Sequence, residues 1–172
     1  KKKHIYNSIR RRKIKIHKKD KIMCAIYRKG HFEGVIDVMD RLTKIINPKK
    51  IYMGEKDFQQ FYLVKNYIEK NYKSKVISCR TIRDHGKLAL STRNLLLNKK
   101  ELTCAKNISK KIYSIKKNLT NKKDKKKYLS IKKRELNEIY NINIEYLDLR
   151  NVINLKNTNR TKKSKLFIAY NL

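Results

Sequence analysis

The chain contains no tryptophan, one proline, four glycines and three cysteines in 172 residues, and 14 acidic side chains stand against 47 basic ones. Each shortage excludes something. Cys24, Cys79 and Cys104 are odd in number, far apart and without C-x-x-C or Cys/His ligand spacing. That pattern argues against a disulfide framework or a zinc site and points to a reducing, cytoplasmic compartment. No window of 18 apolar residues occurs, so no segment reads as a membrane-spanning helix. The sequence opens on Lys1-Lys2-Lys3-His4, with neither an initiator methionine nor a charged, apolar and small-residue signal layout, so it reads as a fragment of a longer chain. Internal repeats are missing too.

What is abundant is lysine. The formal net charge is +33 and the pI about 10.2, which raises the possibility of a basic nucleic-acid-binding module that releases counterions from a phosphate backbone. The excess is nearly all lysine, however, with 36 Lys against 11 Arg, accompanied by 22 Ile and 17 Asn. Lysine, isoleucine, asparagine and tyrosine have A/T-rich codons, whereas glycine and proline need G and C. Drift of a genome toward A and T gives this composition to an enzyme of any substrate class. The basic residues are also spread along the whole chain, not gathered in one stripe with stacking aromatics. The charge therefore reads as a solvated surface with weak, nonspecific affinity for polyanions.

Within residues 1–20, Ile14 and Ile16 alternate with lysines, as in a half-exposed edge strand. Met23 to Ile26 is a short apolar run, and Tyr27 to Gly34 reads as a loop punctuated by two glycines. From Val35 the apolar positions 35, 38, 39, 42, 45 and 46 form a helical stripe that Asn47-Pro48 ends. Ile51-Tyr52-Met53 has the length and bulk of a buried strand, with Gly54 placed to turn the backbone tightly behind it. Asp57 stands three residues before Gln60 at the head of the stripe Phe58, Phe61, Val64 and Ile68, which predicts an N-cap and its box partner opening a helix over 57–72. Lys56 is thus expected between a strand end and a helix N-terminus. In open α/β sheets, amides and helix dipoles there face bound anions.

Val76 to Cys79 reads as another short strand, so helix and strand alternate in the rhythm of a parallel sheet. After the polar loop from Arg80 to Leu90 the character changes. Asn98 and Glu101 predict a capping box before the stripe Leu102, Ala105, Ile108, Ile112, Ile115 and Leu119. A polar connector, 118–127, leads to a helix carrying Tyr128, Leu129, Leu136, Ile139 and Tyr140. Ile142 to Tyr146 alternates as a strand, and Lys165 to Leu172 can pair with it across a polar loop at 154–164. The expected division is an α/β part over 1–84 and a small α+β domain over 85–172.

Three motifs carry a resemblance. Gly30-His31-Phe32-Glu33-Gly34-Val35, Gly54-Glu55-Lys56-Asp57-Phe58-Gln59-Gln60 and Leu88-Ala89-Leu90-Ser91-Thr92-Arg93-Asn94 occur in the order and spacing of the pantothenate synthetases, the pantoate–beta-alanine ligases. The likeness continues more loosely through Tyr146 to Arg150 and Leu166 to Tyr170. It implies a partial nucleotidyltransferase-like, Rossmann-type α/β domain (1–84), a small lid domain (85–172), a cytoplasmic homodimer, and the use of ATP with Mg2+ to join pantoate to beta-alanine through a pantoyl adenylate. Carried over, Gly54, Glu55, Lys56, Asp57, Ile82, Leu90, Ser91, Thr92 and Arg93 would line the ATP site, with Lys56, Ser91 and Arg93 acting on the phosphates. Gln60 would hydrogen-bond pantoate. Charge develops on phosphate oxygens during such a transfer, so a fixed ammonium, a guanidinium and hydroxyls aimed there would stabilise the transition state. Without the resemblance, Lys56 and Arg93 read as solvated charges, Asp57 and Ser91 as caps, and His31 as a packed histidine. Departures remain. None of His4, His17, His31 or His85 lies in the family's His-x-Gly-His motif, whose place would precede Lys1. Gly86-Lys87 replaces an Asp-Gly pair, Thr92 replaces a serine, and the family's closing segment would follow Leu172.

Overall fold

The computed structural model describes residues 14–172. The chain divides into two compact units, Lys1–Thr81 and Ile82–Leu172.

In the first unit a single helical turn, α1 (Cys24–Tyr27), precedes α2 (His31–Ile46), β1 (Lys50–Gly54), α3 (Phe58–Asn71) and β2 (Lys75–Cys79). Helix α2 starts four residues earlier than its stripe predicts. Gly30, at φ 76°, turns the chain into it, and Gly34 sits inside it with nothing within 4 Å of where a Cβ would lie. A helical glycine costs about 1 kcal/mol relative to alanine. Burying Phe32 and Ile36 on the opposite face outweighs that, so the expected loop is helix as far back as His31. Ile14 and Ile16 are half-buried but irregular in backbone, so the predicted edge strand is not formed there; the rest of that lysine-rich arm, Lys1 to Lys13, lies outside the described residues.

Strands β1 and β2 pair in parallel, from Lys50↔Lys75 to Gly54↔Cys79, with α3 as the crossover. Helix α3 contributes Val64 and Ile68, both fully buried, and β2 contributes Val76 at 1 % exposure. Lys65 donates to the Val76 carbonyl at 3.2 Å, and Glu69 accepts from the Val76 amide at 2.9 Å. These two main-chain groups are thereby withheld from any further strand. Ile51 and Met53 share the face of Val76, whereas Tyr52, 64 % exposed, and Ile77 share the other. The apolar run predicts a buried strand; among the residues present, Ile51 and Met53 are half-buried and Tyr52 is exposed.

Helices α2 and α3 are joined by a buried carboxylate. Asp40, 2 % exposed, accepts from Tyr72 Oη at 2.6 Å, Tyr67 Oη at 3.0 Å and Lys44 Nζ at 2.8 Å. Burial by itself pushes this carboxyl up, but the hydrogen bonds from Lys44, Tyr72 and Tyr67 outweigh it and hold it below its ordinary value.

The second unit holds α4 (Lys99–Leu119), α5 (Lys125–Tyr140), β3 (Asn143–Asn151) and β4 (Ser164–Asn171). The predicted capping box forms: Glu101 N donates to Asn98 Oδ1 at 2.9 Å, and Asn98 N to Glu101 Oε2 at 2.8 Å. Ile115 and Leu119 of α4 and Leu129 and Leu136 of α5 pack with Ile144, Leu147 and Leu149 of β3. Strand β4 pairs antiparallel with β3, and a bulge between Ile144 and Tyr146 shifts the register. The bulge moves the buried positions from 144 to 147 and 149, so the simple alternation expected through Tyr146 breaks there. Leu155, in the loop expected to be polar, is fully buried at φ 55°.

Candidate active site

The carboxyl ends of β1 and β2 lie side by side, Gly54 opposite Cys79, and the chain leaves β1 through a 3-10 turn, Glu55–Asp57, straight into α3. Gly54, Glu55, Lys56, Asp57 and Gln60 are therefore gathered in one strand–turn–helix corner, with Lys56 and Asp57 exposed and Gln60 half-buried. Main-chain amides at a helix start and a lysine ammonium are a donor set suited to anionic oxygens. Two local expectations are corrected. Gly54 has φ −69° and ψ 135°, an ordinary extended conformation with open space at its Cβ position. The turning is done by residues 55–57. Asp57 stands at the N-cap of α3 but makes no capping hydrogen bond, so the box with Gln60 does not form. The intervening 3-10 turn gives Asp57 φ −99° and ψ 59°, away from the extended conformation that a capping side chain uses.

In the second unit a hairpin brings Ile82 against the loop that follows it. Leu90 N donates to Ile82 O at 3.0 Å, and Arg83 bridges to Ala89. Ile82 and Leu90 are both exposed, at 71 % and 56 %. Ser91 caps a 3-10 turn, Thr92–Leu96, by accepting from Arg93 N at 3.3 Å. Asn94 Nδ2 donates to Ala89 O at 3.0 Å and fixes the turn's approach. Thr92 and Arg93 are exposed. The capping role of Ser91 and a role toward a ligand are compatible, since the cap sets the loop's shape.

At the hairpin tip, Lys87 N bonds Asp84 O at 3.0 Å and Leu88 N bonds Asp84 Oδ1 at 2.9 Å. Lys87 sits at φ 66°, so the left-handed position is held by lysine and not by its glycine neighbour. Gly86 is small for another reason: a Cβ there would come within 2.9 Å of Lys106 Cγ on α4. A left-handed non-glycine residue costs about 1–2 kcal/mol, and the Lys87 ammonium, 5.7 Å from the Tyr113 ring centroid, recovers part of it. Lys87→Gly is expected to raise the urea-unfolding free energy by about 0.5–1 kcal/mol. A fall instead would mean that the Tyr113 contact dominates.

Sequence reasoning assigned no role to Gln59. It is 4 % exposed, its amide nitrogen reaches two main-chain carbonyls, and its Oε1 has no hydrogen-bond partner among the described residues. The available signal was the doubled glutamine at the helix start. Asp40, in turn, was hidden inside the α2 stripe.

Together these features define a mixed α/β protein: a parallel β-α-β unit with an anion-suited corner at its strand ends, and an α+β unit with a small antiparallel sheet. The chain belongs to the pantoate-beta-alanine ligase family, whose model matches residues 1–172. It is 36% identical over 152 residues to the pantothenate synthetase of Clostridium botulinum, covering 84% of this chain and 52% of that one. It is 39% identical over 135 residues to the bifunctional pantoate ligase/cytidylate kinase of Prochlorococcus marinus, covering 78% of this chain and 26% of that one. The chain thus spans about half the length of the Clostridium relative. The pantothenate synthetase of Thermus thermophilus has the same fold, with TM-score 0.89 and 21% identity over 99% of this chain and 63% of that one. The pantoate-beta-alanine ligase of Francisella tularensis, solved with beta-gamma ATP and beta-alanine, superposes with TM-score 0.73 and 26% identity over 98% of this chain and 57% of that one.

Proposed function

We propose that the full-length protein joins pantoate to beta-alanine with ATP. A pantoate carboxylate oxygen attacks the α-phosphorus of ATP, the bond to the β,γ-phosphates breaks, and pantoyl adenylate and pyrophosphate result. The beta-alanine amine then attacks the acyl carbon, AMP leaves with the bonding electrons, and loss of a proton from the nitrogen to water completes the amide. The observation that carries this reading is the Gly54–Gln60 corner at the ends of parallel strands, in a chain of this family.

In this reading Lys56 neutralises charge on the phosphates, the turn amides beside it and Gly54, Glu55 and Asp57 hold the nucleotide, and Gln60 holds the hydroxy acid. Ile82 and Leu90 supply apolar contact to the nucleotide, Ser91 and Thr92 supply hydroxyls, and Arg93 supplies a guanidinium. Among the described residues no group of three His, Cys, Asp or Glu side chains is arranged to hold a metal ion. Mg2+ fits as an ion carried in on the triphosphate oxygens, which it prefers together with its own waters. The active species is proposed to be a homodimer in the cytoplasm.

A nucleic-acid reading is not favoured, since the basic residues are spread along the whole chain and not gathered in one stripe with stacking aromatics. The decisive assay is isotope exchange between pyrophosphate and ATP. Exchange should require pantoate but not beta-alanine, and AMP should be released only when all three substrates are present. Exchange that proceeds equally without pantoate would reject the proposal.

A further inference from the structure

The segment that precedes α1 is held in a shape its own sequence disfavours. Met23 is buried, at 3 % exposure, with φ 52° and ψ −128°, a conformation that L side chains rarely adopt. The turn Ile22–Ala25 around it is closed by Ala25 N donating to Ile22 O at 3.0 Å. Strain of this kind persists only where the surroundings impose it. Here the surroundings include one side chain from the start of α3. Gln59 Nε2 donates to the same Ile22 carbonyl at 2.7 Å and to the Asp20 carbonyl at 3.2 Å.

The contact fixes the amide's orientation. Two carbonyl acceptors can be served only by the NH2 end, so the buried oxygen is the end that has no partner among the described residues. Gln59 lies two residues after the Glu55–Asp57 turn and immediately before Gln60. Consecutive helical residues point about 100° apart. One glutamine thus grips the 20–22 segment while the next is offered to a different side of the same first turn.

We propose that Gln59 is a positioning residue for the hydroxy-acid side of the site: by tying the strained Ile22–Ala25 turn to the first turn of α3, it sets the direction from which Gln60 meets the substrate. This inference rests on the function proposed above. It assigns Gln59 no contact with the reacting atoms, and it separates the hydroxy-acid side, which needs the tie, from the nucleotide-binding turn at 55–57, which precedes the helix and does not.

Two variants of the full-length protein test it. Gln59→Met keeps the length and bulk but has no donor. Gln59→Glu keeps the shape, but as a carboxylate it faces two carbonyl oxygens with no proton to give. Both are expected to raise the KM for pantoate about 10-fold while the KM for ATP stays within about twofold, this being the loss of hydrogen bonds that hold the first turn. The glutamate variant adds a signature that loss of packing alone would not produce. Burial beside carbonyl oxygens raises its carboxyl pKa, and the protonated acid again has a donor for Ile22 O. Its KM for pantoate, relative to wild type, should therefore fall back as the assay pH is lowered from 8 to 5.5, while that of Gln59→Met stays flat. An unchanged KM for pantoate in both variants overturns the proposal, and so does a parallel rise in both KM values without pH rescue. Wild-type enzyme that shows no pantoate-dependent pyrophosphate exchange overturns the functional reading and this inference together. Normal wild-type exchange with unmoved variants overturns only the role of Gln59.

Discussion

Lys56→Ala in the full-length protein is expected to slow adenylate formation about 100-fold, which corresponds to about 2.7 kcal/mol of transition-state stabilisation. The reasoning is electrostatic. Negative charge shifts onto the departing pyrophosphate as the new bond to the α-phosphorus forms, and an ammonium placed in advance need not reorganise to meet it. Such a group acts more on the transition state than on the bound substrates. The kcat for pantoate-dependent pyrophosphate exchange should therefore fall more than the KM for ATP rises, and single-turnover quench measurements separate the two. Lys56→Arg keeps the charge but spreads it over a larger planar group, so an intermediate rate is expected. Exchange in the alanine variant within twofold of wild type would remove Lys56 from the mechanism.

The second large effect concerns stability. Asp40→Ala is expected to cost about 3 kcal/mol, since two phenolic hydroxyls, on Tyr67 and Tyr72, lose a charged acceptor in the α2–α3 interface. Lys44 contributes less, because its side chain is 50% exposed and returns to water. The pH dependence has a definite sign. Asp40's carboxyl is held below its ordinary value of 3.8 in the folded protein, so its contribution is fully present above that pH and is lost as pH falls through the lower, folded-state value. Urea unfolding of wild type and Asp40→Asn should accordingly differ by a constant amount from pH 7 to 5, and the difference should shrink below about pH 4. A gap that widens in acid would mean that the carboxyl is not stabilised as an anion.

Much of the candidate site's local structure was legible because its pieces are short and contiguous. The run from Gly54 to Gln60 announces a strand end, a charged turn and an apolar helical stripe, and the structure builds them in that order. The details of the corner were not legible. Whether Asp57 caps α3 depends on a 3-10 turn of three residues inserted before the helix, and nothing in the pattern distinguishes that turn from a direct entry. Gly54 invited a conformational explanation that its backbone angles do not need. Gln59 was given no role, since a single amide reaching carbonyls 37 and 39 residues back leaves no periodic trace.

The sequence alone determined which segments are helix or strand wherever an apolar stripe met its cap, as in Asn98 and Glu101 before α4 and Asn47-Pro48 after α2. These are local matters of backbone hydrogen bonding and side-chain spacing over a few residues. Tertiary packing decided the rest. It buried Leu155 in a polar loop, moved the buried face of β3 at a bulge and held Met23 at positive φ. At Leu155 and Met23 the outcome is a balance between a left-handed penalty of about 1–2 kcal/mol and burial or hydrogen bonds supplied by residues far away in the chain. The distant partner decides such a balance, and no window of sequence contains it.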